Sequence, residues 1–218
     1  NREYIIAVKN AKAIEPVINF NHFKLHRLTS FEEITDESNE VDDGLLKEIL
    51  GLNPLAIHMD NGWNSKLATK NIERIIRKLD IDLYTHVIDW DEFKDLQRAY
   101  IKAAVGDIEV LTEHAIGAVL YQQAVTNNVK YIFLGNNDST ESIMPKSWTF
   151  TKNDLTNLSD IHKKFGTLPI KTFPTLGMIK RFKYDKLNKI ELINILNYID
   201  FKKKEAMATI IDKIGWKP

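Results

Sequence analysis

Cysteine is missing from all 218 residues, which removes disulfides, thiolate metal sites and cysteine nucleophiles together. Net charge is missing too. Thirty basic residues cancel thirty acidic ones, and with them goes the electrostatic footprint of a protein that binds nucleic acid or lies on a membrane surface. The local basic runs, Lys202 to Lys204 and Lys180 to Lys189, read as solvated helix faces. No apolar run reaches the roughly 20 residues that cross a bilayer, and the N-terminus carries no secretory pattern. A cytoplasmic protein is therefore expected. His22, His26 and His86 stand in no ligand spacing, so a zinc site is not expected. Internal repeats and low-complexity stretches are absent as well.

What the sequence does contain is an ordinary apolar fraction, 44%, enough for a sizeable core. It is arranged as short β-rich runs alternating with amphipathic stretches. Residues 4–8 form the first such run, a buried strand. Residues 9–43 contain Pro16, a weak alternation at Phe20, Phe23 and Leu25, and an acidic stretch over 32–43. They read either as a strand with an exposed loop or as a partly disordered connection. A helix over 44–50 stops at Gly51. Residues 54–59 are a strand, after which Asn64 or Ser65 caps a helix with Leu67, Ala68, Ile72, Ile75, Ile76 and Leu79 on one face. A strand over 83–88 precedes a helix over 91–105 that turns Phe93, Leu96 and Tyr100 inward. Thr112 caps a helix to residue 128, burying Ala115, Ile116, Val119, Leu120 and Ala124, and a strand over 131–134 ends in Gly135-Asn136-Asn137. Residues 170–173 are read as a last strand, and 186–199 and 202–214 as two helices packed beside the sheet. Such alternation implies βαβ units and a largely parallel sheet with its strand C-termini along one edge. The expected division is an N-terminal segment (1–43) that includes the first strand, an α/β nucleotide-binding domain (44–175) and a C-terminal helical extension (176–218).

Two strand ends carry most of the polar chemistry. In Asp60-Asn61-Gly62-Trp63-Asn64, Gly62 lets the backbone turn closely, Asn61 and Asn64 offer amide donors and acceptors, and Asp60 suits a ribose hydroxyl or a metal. The backbone of His58 and Met59 is placed to present an adenine-reading edge, as strand ends do in nucleotide-binding α/β proteins. The same residues also suit a plain strand-to-helix turn, with Gly62 for conformation and Asn64 as cap. The second end is Gly135-Asn136-Asn137-Asp138-Ser139-Thr140-Glu141, continuing to Met144-Pro145-Lys146-Ser147-Trp148. A turn needs only one or two of these polar groups. Asp138 and Glu141 suit Mg²⁺ on a phosphate, since magnesium takes one or two carboxylates plus phosphate oxygens. Lys146 suits phosphate or substrate charge. An N-capped surface loop is the other reading. Glu113-His114 stands at a helix start, where the dipole favours anions, although a histidine there is often merely exposed. His162 and Lys171 complete the candidates.

Several stretches fit one family together. They are Gly51-Leu52-Asn53-Pro54-Leu55, residues 58–65, Thr85-His86-Val87-Ile88-Asp89-Trp90, Asp95-Leu96-Gln97-Arg98 and Glu113-His114-Ala115-Ile116. Glu141 with residues 143–148 follows, then residues 161–166, Lys171-Thr172-Phe173-Pro174-Thr175, residues 196–200 and Gly215-Trp216. From residue 44 to 218 the chain resembles the N-acetyl sugar amidotransferase family, a branch of the PP-loop ATP pyrophosphatases. Asn-Gly-Trp-Asn-Ser and Met-Pro-Lys-Ser-Trp are particular to the branch, whereas Gly135-Asn136-Asn137 with Glu141 is the looser superfamily feature.

The resemblance implies an adenine nucleotide alpha hydrolase-like three-layer α/β sandwich with a parallel sheet and a C-terminal helical extension. It also implies an ATP- and Mg²⁺-dependent ligase chemistry. An amide oxygen of a nucleotide sugar is adenylated with release of pyrophosphate, and ammonia then displaces AMP. An acetamido group becomes an acetamidino group, in O-antigen and lipopolysaccharide or nonulosonic acid biosynthesis. The implied nucleotide contacts are His58, Met59, Asp60, Asn61, Gly62, Asn64, Gly135, Asn136 and Asn137. Glu141, His114 and Lys146 are implied as catalytic, with Asp138 and Glu141 on the metal. The implied partners are glutaminase and ammonia-channel subunits resembling imidazole glycerol phosphate synthase, and a homodimer is compatible with it.

The chain also departs from the family. The Ser-Gly-Gly-x-Asp-Ser phosphate loop is not in the sequence. If residues 4–8 are the first strand, Lys9-Asn10-Ala11-Lys12 stands in its place, without a glycine to bring backbone N–H groups against pyrophosphate. The family's cysteine-rich zinc motif and the Tyr-Gly-Gly-Lys-His-type segment after Gly-Trp are absent from these residues too. The alternative is a non-catalytic relative that binds a nucleotide sugar or a partner subunit.

Overall fold

The computed structural model describes residues 4–8, 54–135, 152–194, 197 and 203–217. In chain order the described elements are β1 (Tyr4–Val8), β2 (Pro54–Asp60), α1 (Lys66–Leu79), β3 (Asp82–Val87), α2 (Trp90–Lys102) and α3 (Val110–Thr126). After them come β4 (Tyr131–Leu134), α4 (Leu155–Phe165), α5 (Met178–Leu187), β5 (Glu191–Asn194) and α6 (Lys203–Ile214). The fold is mixed α/β. The helix expected over 44–50 lies outside the described residues.

β2 shows why the sheet forms where it does. Six of its seven residues are buried, because side chains alternate between two covered faces. Leu55, Ile57 and Met59 enter the larger core with Phe93, Leu96, Leu111 and Ile132, while Ala56 meets Ile75, Leu79 and Ile81 in a smaller one. The helices start where their side chains allow. Ser65 Oγ accepts from Ala68 N at 3.0 Å to cap α1, and Asp89 Oδ1 accepts from Glu92 N at 2.9 Å to cap α2. α3 begins at Val110 rather than at Thr112, and its N-cap residue Glu109 makes no side-chain cap bond. Leu67, expected on the buried face of α1, is exposed.

The strands lie in the order β3-β2-β1-β4-β5. β2 and β3 pair in parallel, as do β4 and β5, while β1 is antiparallel to both β2 and β4. Four strands therefore share one direction, as the alternation predicts, and the central one is reversed. Its register sets Tyr4 opposite His58 and Val8 opposite Pro54. The carboxyl end of β1 thus lies at the edge where β2 begins, about 13 Å along the strand from His58. A phosphate loop works by carrying the chain from a strand's carboxyl end to a helix start at the ligand edge, and β1 delivers its carboxyl end to the other edge. Residues 9–12 themselves lie outside the described residues.

Two further expectations change. Residues 170–173 are not a strand; their backbone is held instead by Glu92 on α2, whose Oε2 accepts from Thr172 N and Phe173 N, both at 2.9 Å. The helix expected over 186–199 ends at Leu187, and β5 follows it, paired in parallel with β4. Lys189 between them adopts φ 54°, a left-handed conformation that a helix does not carry through. The apolar spacing that suggested a helix is used by a short edge strand, with Ile190 and Ile193 buried and Leu192 outward.

The chain then returns to α1. Ile214 and Trp216 pack against the smaller core. Asn71, buried on α1, donates from Nδ2 to Lys217 O at 2.8 Å and accepts from Lys217 N at 3.1 Å. No helix among the described residues is long and apolar enough to cross a membrane.

Candidate functional site at the strand ends

β2 connects outward to β3 on one side, and β4 connects outward to β5 on the other. The order reverses between β2 and β4, so the carboxyl ends of those two strands flank a topological switch point, the place where open α/β sheets bind ligands. They lie one strand apart, about 10 Å. Continuing the β1–β4 register by two residues sets Gly135 level with His58 across Tyr4. The carboxyl ends of β2 and β4 therefore open on one edge.

The turn after β2 is built from its own side chains. Asp60 Oδ1 accepts from Gly62 N at 3.0 Å, and Asn61 Oδ1 accepts from Trp63 N at 3.1 Å. These two successive side-chain turns are the reason Asp and Asn suit a strand end. Gly62 sits at φ 80°, where a side chain is strained. Asn64 Nδ2 donates to His58 Nε2 at 3.2 Å, tying the helix entrance back to the strand. Of the expected contacts, His58, Met59 and Asn61 are buried, and Met59 belongs to the core. His58 is also flanked in the sheet by Tyr4 and Thr85, so its backbone is an interior one. Asp60, Gly62 and Asn64 reach solvent.

Three apolar residues missed by sequence reasoning line the same edge: Trp63 at 66% exposure, Trp90 at 42% and Val87 at 69%. Trp63 and Trp90 meet edge to face with centroids 5.7 Å apart. The available signal was an indole set inside an otherwise polar turn. On β3, His86 is half-buried and burial pushes its imidazole below the ordinary value.

At the second strand end, Gly135 is buried. Asn136, Asn137, Asp138, Glu141 and Lys146 lie outside the described residues. Among the described residues no group of three or more His, Asp or Glu is gathered to hold a metal.

His114 is placed differently from its expectation. It lies on α3 with no exposed surface, and its Nε2 accepts from Leu176 N at 3.2 Å, which requires the proton on Nδ1. Burial pushes its pKa down, opposed by the Lys152 backbone and the Asp154 charge, so it stays neutral and holds the chain after the 167–173 segment. Its neighbour Glu113 pairs with Lys152 at 2.5 Å, and Lys152 also lies 3.5 Å from Asp107. Lys152 and Asp107 line a cleft of about 200 Å³ with Tyr100 and Asp154. Burial and the Asp154 charge push the Tyr100 phenol up to about 12. His162 Nε2 donates to Leu168 O at 2.6 Å, a local structural bond, and Lys171 is exposed.

No protein-family model matches the chain, and no curated protein matches it.

Proposed function

We propose that the edge formed by residues 60–64 and Gly135 binds a nucleotide. In this reading the chain serves the ATP-dependent amidation of a nucleotide sugar that its resemblance to the N-acetyl sugar amidotransferases implies. The observation that supports the reading is the switch point itself: the carboxyl ends of β2 and β4 flank it, with His58 and Gly135 at one level of the sheet. Asp60 and Asn64 are then the side chains on the ribose and base side. Asn136, Asn137, Asp138 and Glu141 are assigned to phosphate and Mg²⁺, and Lys146 to substrate. His114 acts as a positioning residue through Leu176. Apolar clusters on both faces of β2 support the three-layer arrangement of that family. The open apolar face of α5, with Met178, Ile179 and Phe182 exposed, suits a protein partner such as the ammonia-supplying subunit.

A specific observation favours a second reading. β1 is reversed, so the carboxyl end of the central strand lies at the opposite edge. A nucleotide-sugar-binding relative without ATP turnover fits that geometry. Incubation with ATP, Mg²⁺, ammonia and a UDP-acetamido sugar separates the two. Pyrophosphate release dependent on the sugar supports amidation. Calorimetric binding of the UDP-sugar with neither ATP binding nor pyrophosphate release supports the second reading. Absence of any nucleotide binding overturns both.

A further inference from the structure

We propose that the exposed indole of Trp63 is a stacking platform for the nucleobase of the bound nucleotide. This rests on the nucleotide-edge reading and adds a residue and a part of the ligand to it. Large rings normally bury most of their surface, yet Trp63 is 66% exposed. Its contact with Trp90 is edge to face, with 73° between the planes. Such a contact uses at most one face of Trp63, and the exposure leaves the other to solvent.

The platform is anchored rather than loose. Trp90 meets Phe93 at 6.3 Å, and Phe93 stacks on Phe173 at 6.2 Å with 11° between the planes. Phe93 and Phe173 are buried, so the column of rings runs from solvent into the core. The backbone N–H of Trp63 donates to the Oδ1 of buried Asn61 at 3.1 Å, which fixes the turn that carries the ring. Gly62 lies so close over Trp90 that a Cβ there would stand 3.0 Å from Cε3 and 3.2 Å from Cζ3. Only glycine lets the turn close on that ring. A surface ordered before binding loses less conformational freedom when a ligand arrives.

The neighbouring group suits the rest of a nucleoside. Asp60 Oδ1 is tied to Gly62 N, and the other carboxylate oxygen makes no hydrogen bond among the described residues, which leaves it for a ribose hydroxyl. A base has a π-face whatever its identity, so stacking of this kind tolerates either purine or pyrimidine. The platform therefore serves the base, while the edge polar groups handle sugar and phosphate.

Calorimetry of the full chain with AMP, UMP and ribose 5-phosphate tests this, run on wild type, Trp63→Ala and Trp63→Phe. The expected result is that W63A weakens AMP or UMP binding by roughly tenfold or more, leaves ribose 5-phosphate binding unchanged, and is rescued in large part by W63F. In wild type the base-bearing ligands should also quench indole fluorescence, a signal reduced in W63F, which keeps the turn intact. Wild-type affinity in W63A overturns the platform, and so does an equal loss for ribose 5-phosphate, which marks collapse of the turn. A fluorescence change that follows protein concentration instead of nucleotide assigns the indole to a contact between copies and also overturns it. In each of these cases wild-type nucleotide binding leaves the edge reading standing. Only a wild-type chain that binds no nucleotide removes both.

Discussion

Two carboxylates on α2 hold an entire segment against the body of the protein. Asp95, buried at 6% exposure, accepts from Thr167 N at 2.8 Å, Thr167 Oγ1 at 2.6 Å and Leu168 N at 2.9 Å. Glu92 takes the next N–H groups, at Thr172 and Phe173. Burial alone would raise both pKa values, but these hydrogen bonds outweigh it and hold each carboxyl below its ordinary value of 3.8 for Asp95 and 4.5 for Glu92. A depressed carboxylate pKa stabilises the fold above the unfolded value, and that contribution is lost as pH falls through the folded one. Asp95→Asn should therefore cost about 2 kcal/mol near neutral pH, the range for hydrogen bonds to a charged group. The difference from wild type should shrink as pH drops below the ordinary Asp value of 3.8. Thermal melts of both proteins across the acid range check this, and a deficit that persists at low pH would assign the loss to packing instead. Asp95 was legible as part of a resembling stretch, but its clamp was not, because its partners lie 72 and 73 residues away.

At the scale of elements, the clearest disagreement between pattern and structure is the passage from α5 to β5. Leu187, Ile190 and Ile193 are spaced as a helix face would be, and the four-residue strand of Glu191–Asn194 is too short to show an alternation of its own. What decides is the open flank of β4. Four residues of parallel ladder form there, and Glu191 N donates to Lys130 O at 2.7 Å. Lys189 turns the chain at φ 54° to reach it. Lys189→Gly distinguishes the two structures by sign. In a left-handed position glycine relieves about 1 kcal/mol of strain and raises stability, whereas within a continuous helix it would lower stability by about 1 kcal/mol. Urea denaturation of the variant measures which holds, and the expected outcome is a higher midpoint. The helices were easier to read: Ser65 caps α1 as one of the two residues expected there, and Phe93, Leu96 and Tyr100 are buried as their spacing requires.

At the scale of the whole molecule, the ends of the described chain are tied to its middle. Asn71 spends both sides of its amide on Lys217, 146 residues away, and its oxygen also accepts from Arg74 Nη1 at 2.8 Å. Trp216 also packs against the cluster of Ala56, Ile75, Leu79 and Ile81. Asn71→Ala should lower stability by about 1–3 kcal/mol, the cost of leaving buried partners unsatisfied. It should also free the tail, read as a red shift of indole emission and faster proteolysis near Lys213 and Lys217. Unchanged proteolysis with a lowered melting temperature would show that the tail is held by the apolar contacts of Ile214 and Trp216 alone.

By itself the sequence determined most of the elements from residue 54 to 134, because apolar spacing and capping side chains are local signals and act within a turn or two. It also determined the two polar strand ends, since Asp, Asn and Gly in succession after an apolar run have few other uses. The tertiary structure decided the rest. Strand direction is a property of pairing, and a five-residue apolar run pairs equally well either way, so only the register Tyr4 to His58 reveals that β1 is reversed. Burial is likewise a property of neighbours. His114 is sealed under Leu176 and Met59 is lost to the core, while Trp63, which any composition rule would place inside, stands in solvent at the edge where the strands end.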